Sequence, residues 1–288
     1  MTTPLALEVL WPRLIAIADE MAVTLYRTAF SHDVIEVHDM STGLYDHRGN
    51  LIGQTWLGAT GHTGDMPVLG KSLLRAFPPE TIRPGDVFIC NDPWICNGQT
   101  ADVFVTTPAF HGDRLVGFSV NSVHHVDIGG RKGSGVAEEV YEEGLILPPL
   151  RLYRAGEPNE ELFALIRRNV RFAEKMIGDV RAQVAAGWAG ARALSVLAGE
   201  LEAPTLGPLA DEIIRRSEAG MRAGIAKLPD GRYEKEMFVE IAGIDEPQRI
   251  AVAVTIAGDE MTADFTGTAP CASFDGSCRL TLSVQPPP

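Results

Sequence analysis

The chain has 288 residues, 45% of them hydrophobic, and carries a formal net charge of −13 with an isoelectric point near 5.0. That length is enough for a sizeable core in about two domains. The negative balance disfavours nucleic acid and anionic membrane surfaces, because binding to either relies on Lys and Arg neutralising fixed negative charge.

The first predicted element runs from about Pro4 to Phe30, where Leu7, Leu10, Leu14, Ile17, Met21 and Leu25 recur at helical spacing. Arg13, Asp19 and Glu20 interrupt the apolar rhythm and no small-residue cleavage site follows, so the segment reads as an amphipathic helix and not as a signal peptide or membrane span. Pro12 sits near its start or kinks it. A cytoplasmic protein is expected. A β segment follows, with a turn at Asp46-His47-Arg48-Gly49-Asn50 between LY and LIGQTWLG.

From Asp86 the pattern changes to DVFICND, DVFVTTPAF and LVGFSVNSVHHVDI, three strands of an antiparallel meander. His111-Gly112-Asp113-Arg114 between the last two suits a two-residue hairpin turn. After about Asn159 the chain becomes helical through NEELFALIRRNVRFAEKMIGDVRAQVAAGWAGARALSVLAGELEA, interrupted by Gly178 and Gly187. PLADEIIRRSEAGMRAGIAKL adds a helix that stops at Pro229-Asp230-Gly231. Strands return in EKEMFVEIAG, QRIAVAVTIAG and EMTADFTG, and CRLTLSVQPPP ends the chain on a short β-like run that a partner would complete, or that marks a chain shorter than its relatives.

The fold expected is therefore α+β: an antiparallel β meander with supporting helices, a helical middle segment and a second small sheet. A boundary is placed between a β-rich region with the N-terminal helix at 1–157 and a helical segment followed by a small sheet at 158–288. Cys90, Cys96, Cys271 and Cys278 are too few and too irregularly spaced for a disulfide framework or a C-x-x-C zinc site, and read as reduced thiols.

The stretch NDPWICNGQTADV, from Asn91 to Val103, interrupts core-like strands with carboxylates and amides. If Gly112-Asp113 is a two-residue turn, Asp102 lies opposite Val123 and shares a face with His125. A turn one residue longer would pair Asp102 with His124 instead, since a single slip flips every side chain. Either pairing brings an aspartate and a histidine together, the material of a Zn²⁺ or Mn²⁺ site and equally of an ordinary hydrogen-bonded pair. Asp39 is a third candidate ligand or a turn cap. The loop Gly129-Gly130-Arg131-Lys132-Gly133-Ser134-Gly135 lacks the order of a phosphate-binding loop and reads as a mobile lid or tight turn; neither a G-x-S-x-G elbow nor a serine triad is found.

AIADEMAVTLYRTAFS, HDMSTGLYDHRGNLIGQ, RPGDVFICNDPW, TADVFVTTPAF, HHVDIGG, YEEGLILPPLRL and IGDVRAQVAA together resemble the hydantoinase B/oxoprolinase family, from about Leu7 to Thr268. The family comprises B-type subunits or domains of ATP-dependent hydantoinases, 5-oxoprolinases and caprolactamases, and of acetone and acetophenone carboxylases. The resemblance implies a hetero-oligomer in which an A-type (hydantoinase A/oxoprolinase) partner uses ATP to phosphorylate the substrate. A divalent metal, Zn or Mn, in the B-type chain then promotes hydrolysis of the activated cyclic amide. It also implies a chain truncated relative to the family. Carried over by motif, the metal ligands fall on Asp39, Asp102 and His124, with His125 or Asp127 orienting a ligand or moving a proton. The family pattern favours His124 where the ideal hairpin favours His125. One position departs: the family's G-G-T-H-x-x-D has histidine where this chain has Gln99, a poorer ligand for a borderline metal. The expected function is that of the B-type component of a cyclic-amide hydrolase; the alternatives are a component of a ketone carboxylase and a non-catalytic assembly component.

Overall fold

In a computed structural model, the structure describes residues 4–59, 62, 64, 66–96, 98–131, 137, 139–201, 205–240 and 245–270. Most of the Gly129–Gly135 loop, the C-terminal β-like run, Cys271 and Cys278 lie outside them.

The helix α1 (Pro4–Thr28) leads through a short α2 (His32–Ile35) to the hairpin β1 (Met40–Asp46) and β2 (Leu51–Gln54). α3 (Met66–Ala76) precedes the meander β3 (Val87–Cys90), β4 (Asp102–His111) and β5 (Arg114–His124), then β6 (Leu150–Arg154) and β7 (Glu157–Pro158). α4 (Glu160–Asn169), α5 (Ala173–Glu200) and α6 (Gly207–Ile225) follow, and β8 (Gly231–Val239), β9 (Gln248–Ala257) and β10 (Glu260–Asp264) complete the described chain. The large sheet is antiparallel in the order β2-β1-β5-β4-β3-β6-β7, and the small one runs β10-β9-β8. This is the α+β arrangement expected, with α3, β6 and β7 added to the elements the sequence suggested.

Strand alternation divides the large sheet into two faces. Met40, Leu44 and Val123 point to one side, where they join Leu7, Leu14, Met21 and Leu25 of α1 and Ala186 and Leu194 of α5. Tyr45, Phe88, Phe104, Phe118 and Val120 point to the other, against Met66, Leu69 and Leu73 of α3. Each apolar stripe is thereby removed from water, at about 25 cal/mol per Å² of apolar surface.

The glycines of α5 do not break it. A Cβ on Gly187 would lie 2.4 Å from Thr107 Oγ1, and one on Gly190 would lie 2.2 Å from Met21 Sδ, so these positions let the helix approach the sheet and α1 closely. That closeness allows side chains of β5 to reach helix carbonyls: Ser119 Oγ donates to Gly187 O at 2.6 Å and Asn121 Nδ2 to Gln183 O at 2.9 Å. Close packing also runs across the boundary expected at 157/158, since α5 lies directly on β4 and β5. Two compact units result, one of residues 1–130 with 144–213 and the other of residues 131–143 with 214–288.

Candidate functional site

The hairpin β4–β5 sets the site. Its turn is the two-residue one the sequence suggests, with His111 paired to Arg114 and Phe110 to Leu115. Between Ala109 and Phe110 the register then shifts: Ala109 pairs with Gly117, leaving Val116 as an extra residue on β5. This β-bulge carries every later pair one step along, so that Asp102 faces His124 and not Val123. The ideal-hairpin reading that favoured His125 fails through the bulge and not through turn length. β1 continues the row on the other side of β5, with Met40 paired to Val123 and His124 N–H donating to Asp39 O at 3.0 Å.

Asp39, His124 and Asp102 thus stand side by side across three strands on the α3-side face. His124 Nδ1 lies 2.7 Å from Asp102 Oδ1 and 4.0 Å from Asp39 Oδ2. A fourth group, His62, descends from the glycine-rich loop after β2: its Nε2 is 3.4 Å from Asp102 Oδ2 and 4.0 Å from Asp39 Oδ1. Sequence reasoning missed His62. Its one available signal was a lone histidine within GATGHTGD, where no periodicity indicates a direction.

Asp102 and His62 are buried, whereas the Asp39 side chain is 34% exposed and that of His124 is 21% exposed, so the cluster opens to solvent at one end. Burial pushes the Asp102 pKa up, but hydrogen bonds from His124 and His62, with the charge those rings carry when protonated, outweigh it and hold the carboxyl at about 2. One step along the strands, a cavity of ≈210 Å³ lies among Ser41, Thr55, Trp56, Leu57, Ala59 and Met66.

Local structure aims these groups. His38, just before Asp39, is held at φ 56, a left-handed conformation that non-glycine residues seldom adopt and that is found preferentially at functional sites. The loop that leads to His62 is tied back to β1, with Ala59 N–H donating to Met40 O at 2.8 Å and Ser41 Oγ to Ala59 O at 2.8 Å. The amide-rich stretch that precedes Asp102 is pinned by Asn91, which is fully buried: its Nδ2 donates to Thr100 O at 2.5 Å and Leu145 O at 2.9 Å, and its Oδ1 accepts from Leu147 N–H at 2.6 Å. Gln99 itself is exposed, and its backbone carbonyl accepts the Asp102 N–H at 3.2 Å.

His125 and Asp127 lead elsewhere. His125 faces the helix side, fully buried, and its Nε2 donates to Gln183 Oε1 of α5 at 3.0 Å. Gln183 Nε2 in turn donates to Val103 O at 2.8 Å. Asp127 accepts backbone N–H groups from Gly129, Arg171 and Phe172 and an Arg171 guanidinium N–H. Burial raises its pKa, yet these donors together lower it below the usual carboxylate range.

Two carboxylates and two imidazoles form a donor set suited to a borderline divalent ion. Ligands about 2.1 Å from a tetrahedral ion lie about 3.4 Å from one another, and the four contacts, from 2.7 to 4.0 Å, bracket that edge. Among the described residues no three such donors are already arrayed around a common ion position. Asp102 instead touches both rings directly, so these side chains would have to part to admit an ion. The donor set fits an ion by chemistry and reach.

A mixed sheet-and-helix scaffold that carries an Asp–His row at its strand ends defines the class, and comparison with known proteins supplies the family. Residues 3–282 match the hydantoinase B/oxoprolinase family model, so the chain belongs to that family. It is 31% identical over 278 residues to a protein of Pseudomonas sp. (strain NS671) named as the B-type chain of a D-/L-hydantoinase, covering 93% of this chain and 47% of that protein. Its fold matches the crystal structure of the ATP-dependent caprolactamase from Pseudomonas jessenii with a TM-score of 0.80 at 28% identity, covering 94% of this chain and 47% of that one. A nucleotide-free acetone carboxylase structure matches with a TM-score of 0.82 at 20% identity, over 92% of this chain and 37% of that one, a likeness of fold. The chain spans about half the length of these relatives or less.

Proposed function

We propose that this chain supplies the metal-assisted hydrolytic part of an ATP-dependent cyclic-amide hydrolase acting on a hydantoin, lactam or 5-oxoproline-like ring. An A-type partner uses ATP to activate the ring, and the two chains work as a cytoplasmic hetero-oligomer. The observation that carries this reading is the row of Asp39 just before β1, His124 at the end of β5 and Asp102 at the start of β4 in a chain of this family. The relative named as a D-/L-hydantoinase chain and the structure titled ATP-dependent caprolactamase support the cyclic-amide substrate class.

Asp39, Asp102 and His124 would hold the divalent ion, zinc or manganese. When bound, such an ion lowers the pKa of a water or polarises a carbonyl oxygen. Asp102, ionised across the physiological range, supplies fixed negative charge at the buried end. Asp39 and His124 stand at the open end, where water and substrate would reach the ion. His125 and Asp127 act as positioning residues, one fixing the end of β5 on α5 through Gln183 and the other holding the segment after it.

The test is ATP-dependent ring opening by the chain together with its A-type partner. Loss of turnover in Asp102→Ala is expected. Full turnover in that variant would exclude the assignment and favour an assembly role, and bicarbonate-dependent turnover of a ketone would move the protein to the carboxylases.

A further inference from the structure

We propose that His62 is a metal ligand of this site, its Nε2 supplying the imidazole that position 99 does not. The inference rests on the metal reading above and deepens it. Three observations carry it. First, His62 Nε2 is the atom directed at the cluster, 3.4 Å from Asp102 Oδ2, the edge of a tetrahedral site, and 4.0 Å from Asp39 Oδ1, the carboxylate on its other side. Second, the ring is held in that direction: it is 3% exposed and packs edge-on against Phe104, with centroids 6.2 Å apart and an interplanar angle of 72°. Third, Gln99 is exposed, while His62 is buried with its ring against Asp102.

The charge balance agrees. Asp39 and Asp102 bring two negative charges, which a divalent cation neutralises with both imidazoles left neutral, the protonation state in which histidine is a ligand. Among the described side chains, the buried end of the site would offer the ion Asp102 alone without His62. With it, two carboxylates and two imidazoles complete a four-coordinate set drawn from β1, β4, β5 and the loop after β2, with the open side left for water or substrate through expansion of the coordination shell.

The test is metal binding by the full chain, read as bound zinc or manganese by plasma mass spectrometry and as apparent affinity by chelator competition, with circular dichroism confirming the fold. Wild type, His62→Ala and Asp102→Ala are compared. Wild type retaining about one ion, with affinity weakened at least about 100-fold in His62→Ala, supports the assignment, since loss of even an outer partner of a ligand costs about 10–100-fold. Wild-type affinity in a folded His62→Ala that is lost in Asp102→Ala overturns the role of His62 and leaves the three-residue reading standing. No ion in wild type after zinc or manganese loading overturns both. Should His62→Ala fail to fold, His62→Asn, whose amide cannot reach the Nε2 position, is read in the same way.

Discussion

His124 and His125 are consecutive residues at the end of one strand, and they face opposite sides of the large sheet. On the α3 side, His124 joins Asp39, His62 and Asp102 in a titratable cluster that opens to solvent. On the helix side, His125 meets a neutral amide, Gln183, inside an interface where Ser119 and Asn121 donate to helix carbonyls. Both regions bury polar groups, but they are organised differently. The helix-side face spends its polar groups on fixed partners, which rigidifies the joint between α5 and the sheet. The α3-side face gathers two carboxylates whose mutual repulsion must be offset by something positive, whether protons on the rings or a cation.

The largest effect that would break this contrast is expected from Asp102→Ala, which removes the carboxylate both rings approach. Turnover and bound metal should fall at least about 100-fold while the circular dichroism spectrum is retained. On the other face, Gln183→Ala strands the Val103 carbonyl and the His125 ring together, and a loss of about 2–4 kcal/mol is expected from denaturant unfolding, with little change in metal content per folded chain. A result in which each variant mimicked the other would erase the distinction between the two faces.

Asp127→Asn is expected to cost about 1–3 kcal/mol near neutral pH, because an amide replaces a carboxylate that accepts three backbone N–H groups and an Arg171 N–H. The pH dependence has a definite sign. The Asp127 pKa is lowered in the folded state, so its contribution is fully present above the unfolded carboxylate range and is lost as pH falls through the folded value. Unfolding free energies measured from neutral pH down through the carboxylate range should therefore converge for wild type and Asp127→Asn at the acid end. Gln99→Ala should change least, within about 0.5 kcal/mol in stability and with metal affinity unaltered, because the side chain is exposed.

Much of the fold could be read from the chain. The apolar stripe of α1, the Asp46–Asn50 turn, the β3–β5 meander and the three C-terminal strands all follow from local periodicity and turn chemistry. α3 was missed although Met66, Leu69 and Leu73 carry a helical spacing, because the glycine-rich run before it reads as loop. β6 was missed because five residues with two arginines give little alternation to detect. At the site, the pairing of Asp102 with a histidine was legible, but the choice between His124 and His125 was not decided by the hairpin rules. The Val116 bulge that decides it is flanked by Gly117, a strand glycine that can mark a bulge but equally a close backbone approach, so the glycine alone does not fix the register. His62 was invisible for a different reason: its position depends on where an aperiodic loop lands, which only tertiary packing determines.

The bulge has an implication for how this scaffold tolerates change. It lies seven residue pairs from Asp102, roughly 23 Å along the strands, yet it determines which histidine is offered to the aspartate. Deleting Val116 would leave a regular ladder with Ala109 still paired to Gly117 and Asp102 still opposite His124, whereas taking Val116 into the ladder without a bulge would bring Val123 opposite Asp102. Grafting this hairpin into another protein, or trimming its outer end, therefore has to keep Val116 out of the ladder and not merely keep the strand lengths.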